Sequence, residues 1–145
     1  MIVREASLNF RVVREGDTEA LGTPERIADY VRDVFDEDPT VEWFVVIPVN
    51  CKNHPYGRIL ISKGTAQNAL VNAREVLRPC ILANATGFMC SHNHPSGESS
   101  PSRADISVTR QLRDAGRTMG IPLLDHVIVG DPGVPVYSFN EAGLV

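Results

Sequence analysis

The stretch SHNHPSGESSPSRAD, residues 91–105, holds the residue types from which a metal site is made. Imidazole nitrogen and carboxylate oxygen both bind zinc, and a catalytic zinc site takes three protein ligands and a water. His92 and His94 are two apart. In an extended segment residues i and i+2 project to one side, so both rings can reach one ion. Asp105 lies three residues beyond Ser102, on the inward face of an expected helix, where it can supply a third ligand. Pro95, Gly97 and Pro101 shape the loop that brings strand end and helix start together. The same letters carry a second reading. Ser102-x-x-Asp105 before an apolar-periodic run is also a capping-box-like helix start, which needs no metal. Spacing alone leaves both open.

The other candidates are thinner. Glu42 is a carboxylate opening a buried strand, and an exposed strand end accounts for it equally well. His126 follows Asp125 near the end of a strand and could orient a ligand from behind, or serve as a core histidine. His54 sits in NHPYG and reads as a turn residue. Arg103, Arg110, Arg113 and Arg117 place positive charge along one helix, as a solvated face or a substrate-binding edge. Deaminase chemistry needs H-x-E with a later PCxxC, and position 94 is His with no PCxxC present. The helical HExxH of zincin proteases is absent. The letters of an HNH nuclease are spread over a longer ββα unit, so the triplet His92-Asn93-His94 does not make one.

The elements that must position these residues are legible. Thr23 can cap a first helix, with Pro24 at its first position and Glu25 at its positive end. Ile27, Tyr30, Val31, Val34 and Phe35 then share one face, and Pro39 ends the segment. VEWFVVIPV (41–49) is apolar on both faces and reads as a central strand. NCKNHPYG is a turn, and RILISKG a second strand, giving a hairpin. Residues 73–84 favour helix, with Pro79 expected to kink or break it. TGFMCS runs as a buried strand into His92. A long helix from Ser102 to about Met119 places Asp105, Val108, Leu112, Ala115 and Met119 on one face, and Gly120 stops it. IPLLDHVIVG is another strand and VPVYSF an edge strand, since Pro135 suits an edge. Alternating helices and strands make the class α/β, or mixed α+β, around a mixed sheet.

The 145 residues fit a single domain over 1–145 that can bury a real core. Fourteen basic against eighteen acidic residues leave a net charge of -4, so there is no strong electrostatic signal for nucleic acid. The acidic run at 33–42 reads as a solvated helix end. Cys51, Cys80 and Cys90 form no CxxC pair and read as reduced, mostly buried thiols. MIVREASLNF carries Arg4 and Glu5 and has no apolar h-region, so a secretory signal is not expected, and WFVVIPV is too short to span a bilayer. A cytoplasmic protein, with no membrane partner, is expected; a homo-oligomer stays open.

With its register H-x-H-x7-S-x2-D, the His92–Asp105 stretch resembles the JAMM signature of the JAB/MPN metalloprotease superfamily. The wording HNHPSG…PSRAD is closer still to the RadC family of bacterial and phage proteins. VEWFVV, KG-T at 63–65, ARE at 73–75, LLDHVIVG and YSFNEAGL extend the likeness from about residue 23 to the C-terminus. The resemblance implies a JAB/MPN-like, cytidine-deaminase-like mixed β-sheet flanked by helices. It implies Zn2+ held by His92, His94 and Asp105, with Glu42 as general base and Ser102 as oxyanion donor. The implied activity is hydrolysis of peptide or isopeptide bonds, with a peptide or protein substrate. A second reading is a metal-binding, catalytically silent interaction module in DNA repair or phage and mobile-element biology. Asn72-Ala73 stands where the family usually carries His-Pro before Arg-Glu, so groove specificity is expected to differ. The chain also reads as lacking the N-terminal, DNA-binding extension of full-length RadC proteins, which weakens the expectation of a DNA role.

Overall fold

The computed structural model describes every residue except 14, 17, 18 and 65–70. Its elements run α1 (Pro24–Asp36), β1 (Glu42–Val49), β2 (Ile59–Gly64), α2 (Ala73–Leu82), β3 (Gly87–Asn93), α3 (Arg103–Met119), β4 (Leu123–Val129) and β5 (Tyr137–Ser138). The strands form one mixed sheet in the order β2-β1-β3-β4-β5. β1 and β3 run antiparallel, β3 and β4 parallel through the α3 crossover, and the two-residue β5 closes one edge antiparallel to β4. This is the mixed α/β sheet flanked by helices that the sequence predicts. Thr65, one residue of the family-like KG-T segment, lies outside the described residues.

Strand parity sorts the core into two layers. Val45, Ile47 and Val49 of β1 face α1, together with Met89, Val127 and Val129. Phe44 and Val46 face the other way, toward α2 and α3, with Phe88, Cys90 and Leu123. Side chains alternate across a strand, so Glu42 shares its face with Phe44, and His92 shares its face with Phe88 and Cys90. Both chemical residues are thereby committed to the α2/α3 side. β1 and β3 are buried along their whole length, as a central position in the sheet requires.

α1 starts as predicted, with Thr23 Oγ1 accepting the Arg26 N–H at 3.3 Å. Gly116 marks where α3 touches the sheet. A Cβ there would lie 2.5 Å from the Ile121 carbonyl oxygen and 2.9 Å from the Phe88 ring, so only glycine lets the helix this close. Gly120, at φ 70°, ends α3 in the left-handed region.

Three expectations are corrected. α2 does not break at Pro79; the helix continues through it, and Pro79 packs buried on the core side. Only one intrahelical bond, from residue 79 to the Glu75 carbonyl, is lost to the missing N–H. Met119, the last residue of α3, is 51% exposed, so the apolar face ends before the helix does. The acidic run at 33–42 is not uniformly solvated: Asp33 forms a bidentate pair with Arg58 of the neighbouring strand segment, and Glu42 is buried. Cys51 is exposed, whereas Cys80 and Cys90 are buried. Among the described residues, no helix is long and apolar enough to cross a membrane.

Candidate metal centre

The register Phe44↔His92 sets the end of β1 beside the end of β3, and the α3 N-terminus closes over both. Glu42, His92, His94 and Asp105 thus come together, each offering a ligand atom within 4.8 Å of the others. His92 Nε2 lies 3.0 Å from His94 Nε2 and 3.2 Å from Asp105 Oδ1, and His94 Nε2 lies 3.2 Å from Asp105 Oδ2. Glu42 Oε1 stands farther back, 3.9 Å from His92 Nε2.

These spacings suit a small cation. Zinc–ligand bonds of about 2.0–2.2 Å in a tetrahedron place neighbouring donors roughly 3.3–3.5 Å apart. The three short distances fall only slightly inside that value. The donor set of two imidazoles and one carboxylate is of a kind that binds zinc, with the Glu42 carboxylate standing just outside it. Asp105 Oδ2 also accepts the Ser102 N–H at 2.8 Å, which leaves Oδ1 the freer oxygen for an ion.

The hydrogen bonds behind the rings fit the same assignment. His94 Nδ1 lies 3.0 Å from the Glu98 carbonyl oxygen, which can only accept, so this nitrogen carries a proton, and in the neutral ring Nε2 is the atom left with an inward lone pair. His92 Nδ1 lies 2.8 Å from His126 Nε2. His126 Nδ1 in turn meets Thr109 Oγ1 at 2.7 Å, and Thr109 Oγ1 donates to the Asp105 carbonyl at 2.7 Å. His126 is therefore a buried neighbour of a candidate ligand, not merely a core residue.

The electrostatics follow from burial and proximity. Burial raises the Glu42 carboxyl above its ordinary pKa; the two histidines oppose this, and Asp105 adds to it. Burial also pushes Asp105 upward, but hydrogen bonds from His92, His94 and the Ser102 backbone outweigh it and hold the group well below the usual range. The hydrogen bond to Asp105 raises His94. Burial lowers His126 well below the ordinary histidine value, so the ring is neutral at neutral pH.

Ser102 reconciles two jobs. Its Oγ accepts the Asp105 N–H at 3.1 Å while Asp105 Oδ2 accepts the Ser102 N–H, a reciprocal capping box. The cap uses an oxygen lone pair, so the hydroxyl proton is still a donor for another acceptor. An open cleft of about 460 Å³ runs past the cluster, walled by the apolar Phe44, Val71 and Val108 and by Ser102.

RadC-like JAB domains match residues 21–144. The chain belongs to this family. Among curated relatives, a UPF0758 protein of Geobacter sulfurreducens is 37% identical over 128 residues, covering 88% of this chain and 55% of that protein. A UPF0758 protein of Geobacillus thermodenitrificans is 39% identical over 146 residues, covering 99% of this chain and 63% of the relative. This RadC-like JAB domain thus spans little more than half the length of such relatives.

Two functional neighbours were not legible as such in the sequence. Asn93, between the histidines, accepts the Trp43 N–H at 2.7 Å and donates to the Val41 carbonyl at 2.9 Å, so its amide grips the peptide units on both sides of Glu42. Thr109, four residues after Asp105, had only its helical spacing to mark it. His54 sits in a turn, its backbone N–H donating to Asn50 Oδ1, far from the cluster in sequence and outside the cleft lining. Arg103 and Arg110 line a shallow depression on the outer face of α3, and Arg113 pairs with Asp114.

Proposed function

We propose that this RadC-like JAB domain is a zinc-dependent hydrolase of peptide or isopeptide bonds. The observation that carries the reading is the convergence of the two imidazole Nε2 atoms, 3.0 Å apart, on the Asp105 carboxylate, each 3.2 Å from one of its oxygens. Donor atoms packed this closely need positive charge between them, as a proton or a cation. The chemistry a zinc ion supplies there is Lewis acidity, which brings the pKa of a bound water to about 7.

The chain's own residues would do the rest. His92, His94 and Asp105 hold the ion. Glu42, with its raised pKa, accepts a proton from water and delivers it to the leaving amine. The spare hydroxyl proton of Ser102 donates to the oxygen that gains charge as a carbonyl is attacked. Phe44, Val71 and Val108 give the cleft an apolar wall beside these groups, where the side chain flanking a scissile amide can rest.

The test has two arms. Metal analysis of purified protein is expected to find about one zinc per chain, lost in His92→Ala and Asp105→Ala. Glu42→Gln is expected to keep the zinc and lose cleavage of a panel of peptides and ubiquitin-like conjugates. Zinc retained in both ligand variants would overturn the assignment. A zinc-loaded wild type that cleaves nothing across a broad panel would favour a silent interaction module instead.

A further inference from the structure

We propose that Thr109 and His126 form a directional hydrogen-bond relay that fixes the tautomer of His92, so that its Nε2 presents a lone pair to the metal; this rests on the zinc reading above. The polarity follows from one atom that can only accept. Thr109 Oγ1 lies 2.7 Å from the Asp105 carbonyl oxygen. Two oxygens that close without a proton between them repel, so the single hydroxyl proton of Thr109 points at that carbonyl. Nothing remains on Thr109 to donate to His126. The 2.7 Å contact between Thr109 Oγ1 and His126 Nδ1 must therefore use a proton on Nδ1 of His126.

His126 is fully buried, stacked on Phe139 at 4.8 Å and met edge-on by Phe44 at 5.4 Å. A neutral ring protonated at Nδ1 carries a lone pair at Nε2. That lone pair faces His92 Nδ1 at 2.8 Å, so His92 donates from Nδ1 and leaves Nε2 bare. The relay begins at the backbone of one ligand, Asp105, and ends at the ring of another, His92. It ties α3, β4 and β3 into one hydrogen-bonded ring around the site.

The ring of His126 is itself held from below. Asp125 Oδ1 accepts the N–H groups of His126 and Asn140 at 2.7 and 3.0 Å, and its Oδ2 accepts the Ser138 hydroxyl at 2.7 Å. The Phe139 N–H bonds the His126 carbonyl at 3.0 Å. The C-terminal segment is thus strapped beneath the ring that orients His92. His126 and Thr109 touch no metal donor position except through His92 and the Asp105 backbone, so they are positioning residues.

Thr109→Val removes the hydroxyl at nearly constant volume. His126 Nδ1 then has no acceptor, and the ring gains by moving its proton to Nε2, which drives the His92 proton onto the ligand atom. Zinc affinity, measured by competition with a chromophoric chelator, is expected to weaken about 10–100-fold. Thr109→Ser, which restores the hydroxyl, is expected to recover it, with the thermal stability of the metal-free protein serving as the control for packing. Nitrogen-15 NMR of the zinc-loaded wild type reads the tautomers directly and needs no variant; both His92 and His126 are expected to carry their protons on Nδ1. A His126 protonated at Nε2 overturns the relay, as does Thr109→Val binding zinc as tightly as wild type. A wild type that takes up no zinc overturns the metal reading and this one together, whereas equal zinc affinity in wild type and Thr109→Val overturns this one alone.

Discussion

Asn93→Ala is the substitution that most directly tests how the fold holds Glu42 in place. By register Trp43 faces Asn93, one rung beyond the last backbone pair of β1 and β3, Phe44↔His92. At that rung the Asn93 amide replaces the backbone ladder, accepting from Trp43 N and donating to Val41 O. Removing it leaves the Trp43 N–H buried and unpaired, at a cost of about 1–3 kcal/mol. Loss of the half-buried bond to Val41 adds about 0.5–1.5 kcal/mol. The expected destabilisation is roughly 2–4 kcal/mol. For a domain of this size that lowers Tm by roughly 6–16 °C. Urea titration with linear extrapolation gives the free energy, and hydrogen exchange at the Trp43 amide reports the broken bond itself. Exchange at Trp43 should accelerate in the variant more than at Val46, which keeps its strand partners. A variant with wild-type stability and unchanged Trp43 exchange would falsify the claim that this amide secures the strand end carrying Glu42.

The other predictions concern the rest of the site and the thiols. In metal-free protein the raised pKa of His94 and the lowered pKa of Asp105 make their pairing most stabilising between about pH 3.8 and 6.5. The His94 share is fully present below 6.5 and is lost as pH rises through its higher folded value; the Asp105 share is present above 3.8 and is lost as pH falls toward its lower one. The stability gap between wild type and His94→Ala, followed by chelator-treated thermal melts, should therefore be widest in that window and narrow above it. Zinc affinity should run the opposite way, falling as pH drops toward 6 because protons compete for His94. Gly130→Ala should cost about 1–3 kcal/mol, since its Cβ would lie 2.3 Å from the Gly97 carbonyl oxygen, backbone of the loop that follows His94; a thermal melt checks this. Thiol alkylation of the native protein should label Cys51 alone, because burial pushes Cys80 up to about 12 and Cys90 well above the ordinary thiol range.

What could be read from the letters was what repeats along a period or carries an unusual chemistry. Apolar faces at helical spacing gave α1 and α3, and the buried runs around VEWFVV and TGFMCS gave the two central strands. The His-x-His pair and Asp105 stood out because imidazole and carboxylate are rare on faces that otherwise bury carbon. Without the family resemblance Glu42 was only an odd charge at a strand start, and its place beside the histidines depends on a pairing register between residues fifty apart. Asn93 and Thr109 were not legible for a related reason. An amide or hydroxyl has ordinary jobs everywhere in a chain, and only three-dimensional contact separates a strand-end clamp from a polar surface residue. Pro79 does not end α2 because its cost is met by packing: the helix's buried face, Val76, Leu77, Pro79 and Cys80, is part of the core.

The charge of the cluster explains why so much of the fold converges on it. Two carboxylates, the buried Glu42 and the largely buried Asp105, sit beside two imidazoles whose outer nitrogens are already committed. The α3 N-terminus, where Asp105 is the third residue, supplies only partial positive charge. In metal-free protein the deficit is met by protons, and the shifts all have that sense: His94 and Glu42 hold theirs to higher pH, while Asp105 stays anionic as their partner. A divalent cation held there would replace those protons and balance both carboxylates at once, leaving the imidazoles neutral. The neighbouring hydrogen bonds are compatible with that end state. Glu98 and His126 accept from the outer nitrogens, Ser102 occupies one oxygen of Asp105, and Asn93 holds the strand end so that Glu42 stays within reach without joining the closest ring of donors.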